Sequence, residues 1–150
     1  MDGLTRTAML ATAHCLTGCA IGEVLGLAVG TAVGLGNGQT IVLAVALAFV
    51  FGYGLTLVPL LRSGMGPRPA VRIALAADTF SIVVMEVVDN AVVLMVPGAM
   101  AAGLADGLFW SSLAFALAVA FAAAVPVNRW LIARGRGHAV LHSHHRPQDA

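Results

Sequence analysis

Residues 40–61 read TIVLAVALAFVFGYGLTLVPLL and contain no charged side chain. A helix needs about 20 mainly apolar residues to cross the hydrocarbon core of a bilayer, so this stretch predicts a membrane span. The sequences GLGNGQ at 34–39 and RSGMGPRP at 62–69 bound it on either side. Their glycines and prolines interrupt a helix, and they separate this span from its neighbours.

Three further stretches have comparable length and apolarity, so the sequence predicts four membrane spans. They cover about 8–35, 40–61, 71–96 and 107–132. We therefore expect an all-α fold, an integral membrane four-helix bundle. Residues 1–133 would form this transmembrane domain, and residues 134–150 a His-rich cytoplasmic tail.

The composition excludes several other classes of protein. Of the 150 residues, 59% are hydrophobic and 10% are charged, whereas soluble domains average about 25% charged residues. Disorder requires low hydrophobicity and high charge, so it is excluded for most of the chain. A formal net charge of +1, with no basic block, argues against nucleic-acid binding.

The placement of the arginines predicts the orientation. They lie at the N-terminus, around the loop at 62–69 and at the C-terminal end, while the other two loops contain none. They are Arg6, Arg62, Arg68, Arg72, Arg129, Arg134, Arg136 and Arg146. Under the positive-inside rule both termini are cytoplasmic, and we expect a multi-pass protein of the cell inner membrane.

The sequence Leu16-Thr17-Gly18-Cys19 allows a different interpretation, a lipoprotein cleavage site that would leave Cys19 lipidated. However, the residues after Cys19 stay apolar where a lipoprotein would have a polar tether. We therefore favour a membrane span here.

The first span carries two stripes of unusual residues. Cys15, Cys19 and Glu23 are four residues apart and lie along one face of a helix. His14 starts a neighbouring stripe that continues through glycines, namely Gly18, Gly22, Gly26, Gly30 and Gly34. Small residues at every fourth position let another helix approach closely, so we interpret this glycine stripe as a packing surface.

The third span contains several acidic residues within one arc of roughly 140°. This arc comprises Asp78, Ser81, Ile82, Met85, Glu86 and Asp89. A charged group at membrane depth costs about 2.5–3.5 kcal/mol, which favours a functional role for Asp78 and Glu86. The alternative is that these acids are protonated or hydrogen-bonded inside the bundle. Asp89 lies nearer the predicted outer boundary, where it could face water.

Equal distances from the starts of spans one and three imply equal depths. If the two helices touch, His14 and Cys15 meet Asp78, and Glu23 meets Glu86. Two carboxylates at such a distance cannot both be ionised without a cation. The pair therefore predicts a shared proton or a bound metal.

The donor types in these spans suit a transition metal. Thiolate and thioether favour Cu(I), and imidazole with carboxylate suits zinc, iron or Cu(II). The candidate metal ligands are His14, Cys15, Cys19, Glu23, Asp78, Met85 and Glu86, with His138, His142, His144 and His145 in the tail. The alternatives are that the two thiols are ordinary core residues, or form a strained disulfide, and that the tail is merely solvated.

Several of these motifs together resemble one prokaryotic membrane family, known as domain of unknown function 4396. They are His14-Cys15-x-x-Gly18-Cys19-x-x-Gly22-Glu23, Asp78 with Met85-Glu86 and Asp89-Asn90, Phe109-Trp110, Pro126-Val127-Asn128, and Gly137-His138 with His144-His145. The resemblance covers nearly the whole chain and implies a four-helix membrane domain without an established activity. Some relatives carry a copper-oxidase label or fusion, which implies copper as the first metal to consider.

Three functions follow as expectations. The first is a membrane protein that binds, and transports or delivers, copper, zinc or iron. The second is a proton-coupled carrier or channel for another small solute, and the third is a partner subunit that docks on a larger membrane enzyme through the glycine stripe. We expect the lipid bilayer and either a second copy or another membrane protein as partners. No nucleophile–base motif, phosphate-binding loop or cofactor fingerprint indicates an enzyme.

Overall fold

The computed structural model describes residues 2–134, apart from the side chain of Met100. This part of the chain folds into four long helices, which confirms the predicted all-α class. They are α1 (Gly3–Val33), α2 (Asn37–Arg62), α3 (Pro67–Met95) and α4 (Gly107–Ala133), with a short 3-10 helix at Ala99–Ala101 before α4.

Helix α1 begins five residues earlier than predicted because a side chain caps it. Asp2 accepts a hydrogen bond from the Thr5 backbone N–H at 2.7 Å, as an N-cap residue does. This hydrogen bond holds the pKa of Asp2 below its ordinary value. The same carboxylate pairs with Arg129 at 3.0 Å, so the start of α1 is joined to the end of α4.

Three helices, α1, α2 and α4, are long and apolar enough to cross a membrane. Helix α3 has 29 residues, so its length is also sufficient, but its acids and arginines lower its hydropathy. Large apolar side chains such as Val50, Phe80, Val87 and Phe115 lie exposed on the outer faces. An apolar exterior around a polar interior is typical of a protein whose surroundings are lipid.

The four helices run alternately up and down. Helix α1 packs against all three others, and α3 packs against α2 and α4. Gly18 and Gly30 of α1 meet Gly52 and Thr40 of α2 in reverse order, and Asn128 near the end of α4 meets Thr12 near the start of α1. Cys15 of α1 meets Asp78 in the first half of α3. Helices α1 and α3 therefore run parallel, and the starts of both lie at the same end as the ends of α2 and α4. We call this end, where Arg6, Arg62, Arg68, Arg72, Arg129 and Arg134 lie, the arginine end.

The glycine stripe is a packing surface, as predicted, and the helix that packs against it is α2. Its members face small residues in reverse order along that helix, with Gly18, Gly22, Gly26 and Gly30 against Gly52, Ala48, Ala44 and Thr40. A Cβ added to Gly18 would lie 2.6 Å from the Gly52 Cα, so the two backbones are in direct contact. Since α2 of the same chain covers the stripe, docking a larger enzyme through this surface was the wrong expectation.

This packing makes a side chain at Gly22 costly. We expect Gly22→Ala to lower the free energy of unfolding by about 1–3 kcal/mol, because its Cβ would overlap the Ala48 backbone. Gly54→Ala on α2 is the matched control, because a Cβ there meets no atom within 4 Å. Unfolding in detergent measures both variants, and equal midpoints for the two would contradict the close contact.

Candidate functional site

The acidic face of α3 is turned into the bundle. The exposed fractions are 0% for Asp78 and Ser81, 5% for Glu86 and 4% for Asp89, which confirms the predicted arc. The expectation that Asp89 faces water was wrong. Asp89 lies on the same arc as Asp78 and Glu86, so the rotation of α3 that buries those two acids buries Asp89 as well.

Polar side chains of α1 meet these acids in order along the two helices. The Cys15 thiol donates to Asp78 Oδ1 at 3.7 Å, which confirms the predicted contact. About one turn further along α1, Cys19 lies beside Glu86. We call this series of side chains the polar column. It comprises Cys15, Cys19 and Glu23 of α1 and Asp78, Glu86 and Asp89 of α3.

The last pair of the polar column differs from the prediction. The Glu23 carboxyl lies beside that of Asp89, while Glu86, its predicted partner, contacts Cys19 and remains an electrostatic neighbour of Glu23. The difference has a geometric reason. Residue counting assumes equal progress along both helices, but from the first pair to the last α3 advances from residue 78 to 89 while α1 advances only from 15 to 23.

His14 joins the polar column through α2. Its Nε2 lies 3.3 Å from Thr56 Oγ1, and Thr56 in turn interacts with Asp78. The imidazole is half-buried, whereas Thr56 is 3% exposed. The predicted meeting of His14 with Asp78 thus includes a threonine hydroxyl of α2, which the spacing of residues in spans one and three does not reveal.

An asparagine on α4 forms hydrogen bonds to α1 and α3 in the same region of the bundle. Asn128 Nδ2 donates to Thr12 Oγ1 at 2.8 Å and to Ser81 Oγ at 3.0 Å. All three residues are buried, so one amide group joins α1, α3 and α4. In the sequence Asn128 is only part of the Pro126-Val127-Asn128 motif. Its two partners lie far away along the chain and could not be identified from spacing.

Removal of this amide should loosen the bundle. We expect Asn128→Ala to lower the free energy of unfolding by about 1–3 kcal/mol, because it leaves the buried Ser81 hydroxyl without this donor. Asn37→Ala, at the exposed start of α2, is the control and should change stability far less. Unfolding of the purified protein in detergent compares the two, and equally small effects would exclude a structural role for the amide.

The polar column ends at a cavity of about 100 Å³ between the helices, at the end opposite the arginine end. Glu23, Asp89 and Asn90 line one side, and Phe109 and Ser112 of α4 line another. Both oxygens of Glu23 and Oδ1 of Asp89 are buried, and within residues 2–134 no group donates a hydrogen bond to them. Unsatisfied buried acceptors at a cavity wall indicate a place where a proton or ligand binds.

With this arrangement known, the sequence comparisons identify the family. Residues 5–137 match the profile of the family described as Domain of unknown function (DUF4396). The chain belongs to this family. The resemblance recognised in the sequence is therefore confirmed. Comparisons with curated proteins and with solved structures gave no match.

The predicted metal ligands of this DUF4396 chain do not converge on one point. In the part that the structure describes, no group of three or more His, Cys, Asp or Glu side chains is placed to hold a metal ion. The donors are therefore distributed along the polar column in pairs.

The individual donors have other surroundings. Met85 is 1% exposed and packs in an apolar cluster with Cys15, Cys19, Ile82 and Ala120. Both cysteines are buried free thiols, so the structure contains no disulfide between them. The tail histidines His138, His142, His144 and His145 lie outside the described residues, and their metal binding stays a prediction.

Proposed function

We propose that this protein is a small proton-coupled membrane carrier whose proton site is formed by Glu23 and Asp89. The observation that carries the proposal is the contact between these two buried carboxyl groups at the wall of a cavity. Two carboxylates in contact cannot both be ionised without a compensating cation. The pair therefore holds a proton when no other cation is bound, and a cation that enters displaces it.

The rest of the polar column supports proton movement away from this pair. Glu86 and Asp78 follow it on α3, with the thiols of Cys19 and Cys15 beside them. Between Asp78 and Asp89 the column covers about 16 Å at 1.5 Å per residue, roughly half of a 30 Å hydrocarbon core. Thr56 and His14 extend it to a half-buried imidazole on the surface of α1.

Small residues of α4 keep the column closed. Ala116, Ala120 and Ala124 are each fully buried, at the four-residue spacing that places them on one face. Alanine packs without polar atoms, so this face excludes water from the α1–α3 contact. Proton exchange is thereby directed to the cavity at one end and to His14 at the other.

The orientation follows from the positions of the arginines. The six arginines in residues 2–134 lie at one end of the bundle, which supports four spans, cytoplasmic termini and an inner-membrane location. Helix α3 completes the fourth span, since its acids face inward while Phe80, Val83 and Val87 face outward. The cavity then lies toward the outer surface.

Transport of a transition metal is the less favoured proposal. Its ligand set is distributed in pairs along the helices rather than gathered at one point. A metal chelated by Cys15, Cys19 and Glu86 would require these helices to repack. Loss of bound copper, zinc or iron when these three residues are changed would support that rearrangement over the proton site.

Currents evoked by a pH step test the proton site. Proteoliposomes adsorbed on a solid-supported membrane should give a current when the external pH is stepped, because protons move into groups inside the bilayer. The double variant Glu23→Gln with Asp89→Asn should lose most of this current. Asp106→Asn is the matched control, since Asp106 is an exposed acid at the start of α4.

The time course separates the two forms of the function. A transient current indicates a carrier that awaits its solute, and a sustained current indicates a proton channel. The absence of a current from the unmodified protein, or an equal current from the double variant, would contradict the proposal.

A further inference from the structure

We propose that the cavity beside Glu23 and Asp89 binds a small alkylammonium ion, which enters as the shared proton leaves. This inference rests on the proposed proton site and names the class of solute that exchanges with it. Three features of the cavity support it, namely the buried oxygens without donors, the apolar walls and the volume.

The N–H donors of a primary ammonium group match the buried acceptor oxygens of Glu23 and Asp89. Three buried oxygens, Glu23 Oε1, Glu23 Oε2 and Asp89 Oδ1, receive no hydrogen bond from residues 2–134. Asp89 is 4% exposed and lines the cavity, so an unsatisfied buried acceptor faces the space. A primary ammonium group has three N–H donors and a positive charge. It would satisfy the three oxygens and compensate one of the two negative charges of the ionised pair, as the shared proton does.

The walls of the cavity are mostly apolar. Apart from the acids and a few neutral polar groups, the lining is aliphatic or aromatic, including Leu27, Ile41, Val93 and Phe109. Hard inorganic cations such as Ca²⁺ bind through oxygen ligands alone and gain nothing from apolar walls. An alkyl chain, in contrast, is stabilised by contact with apolar walls. The charged end therefore belongs at the acids and the carbon chain against the aliphatic side.

The volume of the cavity suits a short alkylammonium ion. The cavity has a volume of about 100 Å³, and a cavity of about 150 Å³ is known to hold benzene, with six heavy atoms. About four heavy atoms fit the smaller space, which corresponds to propylammonium. The cavity is partly open, so a longer chain would extend out of it.

The exchange balances in charge and protons. In the empty site one proton is shared by the two carboxyl groups, so the pair carries one negative charge. The alkylammonium ion enters with all three of its protons, and the shared proton leaves as H⁺ to water at the cavity mouth. One cation replaces another, and no bond other than the carboxyl O–H is broken.

Calorimetric titration of the full chain in detergent with propylammonium chloride tests this assignment. The titration is repeated in two buffers of different ionisation enthalpy, which gives the number of protons released. We expect binding with release of about one proton, and about tenfold or greater weakening in Glu23→Gln and in Asp89→Asn. Asp106→Asn should bind as the unmodified protein does.

A ligand series keeps the test informative even if a variant fails to fold. In the unmodified protein, affinity should rise about fourfold for each methylene from methylammonium to propylammonium, since each buried CH₂ contributes about 0.8 kcal/mol. Neutral 1-propanol and Na⁺ should not bind. Equal binding of propanol, or ammonium binding without proton release, would overturn the inference.

The two proposals fail in different ways. If the current after a pH step persists and depends on Glu23 and Asp89, but no alkylammonium ion binds, the solute assignment is wrong and the proton site stands. If the current is also absent, the proposed function itself is wrong. Metal ions that bind while ammonium ions do not would likewise overturn the solute assignment.

Discussion

The contact between the polar faces of α1 and α3 determines how the rest of the bundle is arranged. Carboxyl groups in a low-dielectric interior are costly, so α3 must turn Asp78, Glu86 and Asp89 away from lipid. That rotation leaves Phe80 and Val87 outside. Ala120 and Ala124 of α4 pack in one cluster with Cys15, Cys19 and Met85. One electrostatic constraint thus explains the orientation of α3.

The sequence predicted the helices and their faces well, because both depend on local composition and on a period that spacing reveals. The Cys15–Asp78 contact followed from that information alone. The partner of Glu23 did not, since it depends on how far two packed helices advance relative to each other. The role of Asn128 was hidden for a related reason: its partners Thr12 and Ser81 belong to other helices.

The metal prediction illustrates the limit of reasoning from residue types. Thiols, imidazoles and carboxylates have suitable donor chemistry, and two side chains four residues apart on one helix can share a metal ion. Within residues 2–134, however, the packing brings no three His, Cys, Asp or Glu side chains together around one point. Which donors of α1 and α3 face one another depends on how the helices pack, and residue types alone do not reveal it.

The contact between α1 and α2 has a consequence for which substitutions this chain tolerates. At Gly18 and Gly22 an added methyl group would meet the main chain of α2, so no replacement in the opposite helix creates room. At Gly30 it would meet only the side chain of Thr40, and a smaller residue there would accommodate it. Thr40 also forms part of the cavity wall. Substitution is therefore blocked in the middle of the bundle and permitted beside the cavity, where it would alter the shape of that cavity.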